Sequence, residues 1–134
     1  MSVWADIHKR SSGEIRKEDL YTFQDPSVID AEQLRKMLNS GIVHFQFRKK
    51  AKKGQPWDSG EVRDAWGTRL NDVITKIPHG GYCPPKEAGY SIYFDLEKAD
   101  WRAFSDNLLL GVCPKVFTQE EFNDLYPLLK SDKS

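Results

Sequence analysis

Cysteine is scarce in this sequence: Cys83 and Cys113 are the only two, far apart along the chain. A zinc site needs clustered thiolates or imidazoles, and His8, His44 and His79 add no cluster at ligand spacing. No metal or other cofactor is expected, and two such thiols read as the reduced cysteines of an intracellular protein. An excess of one charge is also lacking. Twenty Lys and Arg face twenty Asp and Glu, for a formal net charge of zero. That excludes a histone-like polycation and an acidic tail, and leaves local charge asymmetry as the clue to partners. No apolar run approaches the roughly 20 residues of a membrane span. Residues 1–10 lack the cationic start and apolar stretch of a secretory leader, so the expected compartment is the cytoplasm.

Aromatic residues are plentiful. Phe, Trp and Tyr make up 12% of the 134 residues, within a hydrophobic share of 39%. A chain of this size is one domain and buries roughly two-thirds of its unfolded surface, so it needs no staple. Three parts are expected: an arm over 1–27, a central domain over 28–115, and a helix with a fraying tail over 116–134.

In the arm, Val3, Ala5 and Ile7 alternate with polar neighbours, and Ser11-Ser12-Gly13 is a turn signal. A hairpin docked through Trp4, Ile7, Leu20, Tyr21 and Phe23 competes with a free arm. A helix is predicted over 31–40. Asp30 is its N-cap, Gln33 stands three positions on, and Ile29 and Leu34 are placed as a staple. Leu34, Met37 and Leu38 form its buried stripe, and Gly41 ends it as a left-handed residue.

The period then changes from 3.6 to 2. Val43, Phe45 and Phe47 share one face of a half-buried strand. A second strand over 61–68 returns antiparallel, because one polar loop is too short for a parallel crossover. Residues 69–77 are a short helix or an irregular connection, and 78–88 are loop. A third strand over 89–96 turns Ile92, Phe94 and Leu96 inward. Residues 100–105 are a short strand or a turn carrying one, and Leu108-Leu109-Leu110 is a final strand closed by Gly111. Thr118 and Glu121 form a capping box for the last helix, with Phe117 and Phe122 as staple. Pro127 is expected to bend or end that helix near Tyr126.

The fold class is therefore mainly β (α+β): a small antiparallel sheet flanked by an N-terminal and a C-terminal helix. Five short strands resolve their edges most simply by curling into a barrel; a flat sheet covered by both helices would serve too. Specific residues favour the barrel. Leu38 and Gly41 precede Val43-His44-Phe45-Gln46-Phe47. Arg63, Ala65 and Gly67 follow with one-residue gaps, Thr68 comes directly after Gly67, and Ile77-Pro78 closes that block. Ile92-Tyr93-Phe94-Asp95-Leu96-Glu97 then leads to Trp101-Arg102-Ala103-Phe104. This order resembles a family of Sm-like SH3 β-barrel proteins, related in fold to WYL domains and common in bacteriophages of gut bacteria. The resemblance covers about 34–110. The literal Trp-Tyr-Leu tripeptide is absent, and the first hairpin loop is longer. The resemblance implies an SH3-like barrel, a phage origin with a place in the host cytoplasm, and binding rather than catalysis.

The sharpest candidate for binding is the loop after the first strand. Arg48, Lys49, Lys50, Lys52 and Lys53 stand together with no acid among them. Such a cluster attracts phosphates, with release of their counterions. Trp57 follows, and an exposed indole beside cations stacks on bases. Arg63 and Arg69 extend the patch. The other readings of the loop are an acidic protein partner, for which Trp4, Trp57, Tyr82 and Tyr90 are the aromatic anchors, and a plain solvated loop. Trp101 is expected to cap the barrel, with Arg102 paired to Asp95 or Asp100. His79 and Cys83 share a glycine- and proline-rich loop that fixes no nucleophile–base geometry. No catalytic residue is assigned, and the expectation is a binding module rather than an enzyme. Oligomeric state stays open.

Overall fold

The computed structural model describes residues 22–132. Trp4 and most of the expected arm lie outside them. The order of elements is α1 (Ala31–Leu38), β1 (Ile42–Arg48), β2 (Val62–Thr68), α2 (Asn71–Ile74), β3 (Tyr90–Asp95), β4 (Asp100–Ser105), a 3₁₀ turn (Asp106–Leu108), β5 (Leu109–Phe117) and α3 (Gln119–Asp132). The strands form one antiparallel sheet in the order β4-β3-β2-β1-β5.

The sheet is strongly curled. β4 and β1 stand three strands apart, which in a flat sheet means about 14 Å. Yet Phe104 of β4 stacks on Phe47 of β1 with ring centroids 5.1 Å apart. Phe45, Phe47, Ala65, Tyr93, Phe104, Leu109 and Val112 share this concave core with Ile29, Leu34 and Leu38 at the α1 end. The barrel is nevertheless not closed, which corrects the closed cylinder expected above. β4 and β5 are the two edges of the sheet and do not pair. α1 covers the core in place of a β4–β5 ladder, and Arg35 ties it across the gap. That guanidinium donates to Ser91 Oγ at 3.0 Å and to Asp106 at 3.1 Å.

The convex face has its own cluster. Trp66, Ile42 and Phe117 pack with Val73 of α2 and with Phe122 and Leu125 of α3. His44 lies on this side, stacked on Trp66 with centroids 4.3 Å apart. β1 is thus buried on both faces over its first half rather than on one. The added cover comes from segments distant in sequence, which strand alternation cannot reveal.

Several local expectations hold. Asp30 caps α1 by accepting from Gln33 N–H at 2.9 Å. Thr118 and Glu121 close the capping box, with bonds of 2.9 and 3.1 Å. Others are corrected. Gly41 is not a left-handed terminator. It is a close-approach residue, because a Cβ there would lie 2.8 Å from Phe117 O and 2.7 Å from Val116 Cγ1. On β3 it is Tyr93, not Ile92 or Phe94, that enters the concave core. Its ring lies over Gly67, where a Cβ would stand 2.6 Å from Tyr93 Cδ2. The last strand does not stop at Gly111 but runs to Phe117. It is an edge strand with register shifts, so Pro114 costs it no ladder partner. α3 continues through Pro127. The bond Pro127 cannot donate would go to Asn123, and both residues are exposed, so water can replace it.

Candidate nucleic-acid interface

The β1–β2 hairpin carries the predicted cations. Arg48 is opposite Val62, and Lys49 N–H donates to Glu61 O at 2.8 Å, so the ladder reaches one step into the loop. Arg48 Nη1 donates to Gly60 O at 2.8 Å. This guanidinium holds the two loop ends together. Gly60 is required there, since a Cβ would meet Lys49 O at 1.8 Å. The tip turns at Gly54, whose φ of +85° is left-handed.

The predicted residues divide into three groups. Lys52, Lys53 and Trp57 are exposed, and Trp57 keeps 72% of its surface open. Neither lysine makes an ion pair among the described residues. Lys49 and Lys50 are exposed but partnered. Lys49 Nζ lies 3.7 Å from Glu61, a solvated pair worth at most about 1 kcal/mol. Lys50 Nζ bonds to Tyr90 Oη at 2.8 Å and lies 5.4 Å from the ring centroid. That bond raises the ammonium's pKa above its ordinary value. Arg48, Arg63 and Arg69 are only half-buried, and two of them are held by the fold.

Arg63 is the clearest case. Its Nη2 lies 2.6 Å from Asp95 Oδ2, and the Asp95 side chain is fully buried. Asp95 Oδ1 meanwhile accepts from the backbone N–H of Glu97 and Lys98 at 2.9 and 3.1 Å, shaping the β3–β4 turn. Burial alone would lower the arginine's pKa, but the charge of Asp95 raises it further. Burial, and then the same carboxylate, push the neighbouring Tyr93 phenol far above its ordinary range. Asp95 is thus committed to Arg63, not to Arg102. Trp101 does not cap the barrel either. It stands edge-on to Phe94 at 5.6 Å, away from the concave core.

The spaced residues after the first hairpin loop are all used by the fold. Arg63 binds Asp95, Ala65 fills the core, and Gly67 admits Tyr93. Thr68 Oγ1 donates to Gly41 O at 2.7 Å and accepts from Leu70 N–H at 3.0 Å.

Two depressions flank the hairpin. One, of about 410 Å³, is lined by Lys49, Arg63 and Lys98 beside Val62, and also by Glu61, Asp64 and Glu97. Its carboxylates offset its cations, and Arg63 is already paired with Asp95, so it offers phosphate no net positive charge. The other, of about 150 Å³, lies in the open seam of the sheet. Phe47, Phe104 and Leu108 line it with Ala103, Ser105 and Tyr90, and Arg48, Lys49 and Lys50 complete the wall with no carboxylate. The positive side of the hairpin therefore faces the seam. Residue spacing gave no sign of this cavity, because its walls come from four separate segments.

The alternative anchors are scattered. Tyr82 is 92% exposed on the 78–88 loop, while Tyr90 is turned to Lys50. His79 stands edge-on to Phe94 at 4.8 Å. Among the described residues no group of three His, Cys, Asp or Glu side chains could hold a metal ion. Likewise no helix among them is long and apolar enough to cross a membrane.

No curated protein and no solved structure matches the chain. A family model described as WYL_2, Sm-like SH3 beta-barrel fold, matches residues 31–109, from the start of α1 to the first residue of β5. That span holds the curled sheet, the Arg63–Asp95 pair and the basic hairpin, and it is more than half of the sequence: the chain belongs to the WYL_2 family of Sm-like SH3 β-barrel fold.

Proposed function

We propose that this chain is a non-catalytic binding module, phage-encoded and acting in the host cytoplasm, that contacts nucleic acid through the β1–β2 hairpin. The observation that carries the reading is the company around Lys52 and Lys53. Both are exposed and without an ion pair among the described residues, next to an indole left 72% open. Lys49 and Lys50 add charge at the base of the same loop. Phosphate binding by such a cluster is driven by counterion release, and an exposed aromatic adds stacking. Arg63 does not belong to the contact, since Asp95 occupies it. Arg69 stands at the far end of β2, so it contributes at most at long range. The phage origin rests on the family resemblance.

Replacing Lys49, Lys50, Lys52 and Lys53 together by serine tests the reading. Gel shifts with short single-stranded oligonucleotides should be lost at moderate salt, and any binding left at low salt should show a log–log salt slope shallower by about 3. No gel shift with the unaltered protein at low salt overturns it. The alternative is an interaction module that binds an acidic host protein. It is favoured by Tyr82, an unusually open ring on a loop apart from the hairpin. Capture from a host lysate that survives nuclease treatment would select it.

A further inference from the structure

We infer that the seam cavity takes one unpaired nucleobase, which makes this module a reader of single strands; the inference rests on the nucleic-acid reading above. The cavity has the right size and the right walls. About 150 Å³ holds roughly five waters and is half the minimum of about 300 Å³ for drug-sized ligands. One flat ring system fits. Its floor is apolar: Phe47 and Phe104, stacked on each other and almost fully buried, close its base, and the half-buried Tyr90 ring is the aromatic surface left at the rim.

The open edge of β4 supplies polarity. Asp106 N–H donates to Gly89 O at 2.9 Å, in line with the β3–β4 register. By antiparallel alternation Phe104 bonds to Ser91, and the backbone of Ala103 and the N–H of Ser105 point away from β3. β4 has no strand on that side among the described residues. These are the groups a base edge needs, and in a duplex that edge is already paired. Tyr90 closes the rim, held by Lys50. A base entering here keeps its own phosphate beside the cationic hairpin.

The experiment is fluorescence anisotropy with three labelled probes of equal length: an oligothymidylate, an abasic strand and a duplex. The oligothymidylate should bind about tenfold tighter than either of the others. With Trp57→Ala as the background, so that stacking on the indole is removed, Tyr90→Ala should erase that preference, and Tyr90→Phe should keep it. Ala103→Glu, an exposed edge substitution, places a carboxylate at the mouth and should erase it as well. Equal affinity of the Trp57→Ala protein for all three probes, or a preference that survives both Tyr90→Ala and Ala103→Glu in it, overturns the seam site and leaves the hairpin reading standing. No binding of any probe at low salt overturns both.

Discussion

Arg63 on β2 and Asp95 at the end of β3 meet at 2.6 Å across a place where the two strands no longer pair. The β2–β3 ladder consists of Gly67 with Asp95 and Thr68 with Phe94, extended by Leu96 N–H to Trp66 O at 2.9 Å. Beyond it the start of β2 runs on beside the β3–β4 turn. The ion pair spans that gap, and Asp95 also organises the turn backbone. It is a structural device, and it removes a cation from the surface that the residue pattern alone assigned to ligand.

Removing Asp95 should therefore be costly. Asp95→Ala leaves the half-buried Arg63 uncompensated and two turn N–H groups without their acceptor. The expected loss is about 3 kcal/mol in urea unfolding. Arg63→Ala should be costly too, because it leaves the fully buried Asp95 carboxylate without its cation, and the double variant should lose less than the sum of the two. Additive losses would show that the pair is not coupled.

Gly60→Ala tests the base of the hairpin. Its Cβ would sit 1.8 Å from Lys49 O, backbone that side-chain rotation cannot relieve. We expect a loss of about 1–3 kcal/mol in stability and a displaced loop. Gly54→Ala should also be unfavourable for a different reason, its left-handed backbone, although nothing lies within 4 Å of its Cβ position. A melting temperature for Gly60→Ala equal to wild type would contradict the described register.

Trp57 and Trp66 should report opposite environments. Trp57 is 72% exposed and Trp66 only 4%. Trp57→Phe should reduce the iodide-accessible part of the fluorescence, whereas Trp66→Phe should leave it unchanged, and Trp57→Phe should change stability by no more than about 0.5 kcal/mol. Trp66→Ala should cost about 3–5 kcal/mol, because it empties the contact with Phe117 and Phe122. A Trp57 signal shielded from iodide in the free protein would place the loop against the body.

Tyr126 provides a pH prediction. Its hydroxyl donates to Glu97 Oε2 at 3.0 Å, joining α3 to the β3–β4 turn. Burial first, then that bond, push the phenol up to about 12 from an ordinary value of 10.0. The folded pKa lies above the unfolded one, so the stabilisation is complete below pH 10 and is lost as pH rises towards 12. Tyr126→Phe should reduce the loss of stability over that alkaline window without abolishing it, because the buried Tyr93 phenol is raised too, and should leave the slope near neutrality unchanged. An alkaline dependence equal in both proteins would remove the bond from the account.

Much of the fold can be read along the chain. Asp30 with Gln33 and Thr118 with Glu121 announce their helices because a cap acts within four residues. Val43, Phe45 and Phe47 announce the first strand by alternation. The cationic run is a local fact too, and Lys52, Lys53 and Trp57 are indeed exposed. The errors fall where a distant segment intervenes. Gly41 and Gly67 are glycines because Phe117 and Tyr93 approach them, and Tyr93 rather than Phe94 fills the core for the same reason. Pro127 stays helical where its freed carbonyl can meet water.

Residue order alone settled the caps, the change of period at Ile42, the antiparallel return after a short polar loop, and the place where positive charge gathers. All of these depend on neighbours a few bonds away. Which carboxylate receives Arg63, whether the curled sheet closes, and what lines the seam beside the hairpin were decided only when the strands took their order in space. Those outcomes turn on approaches between segments tens of residues apart, and no spacing along a single strand or helix encodes them.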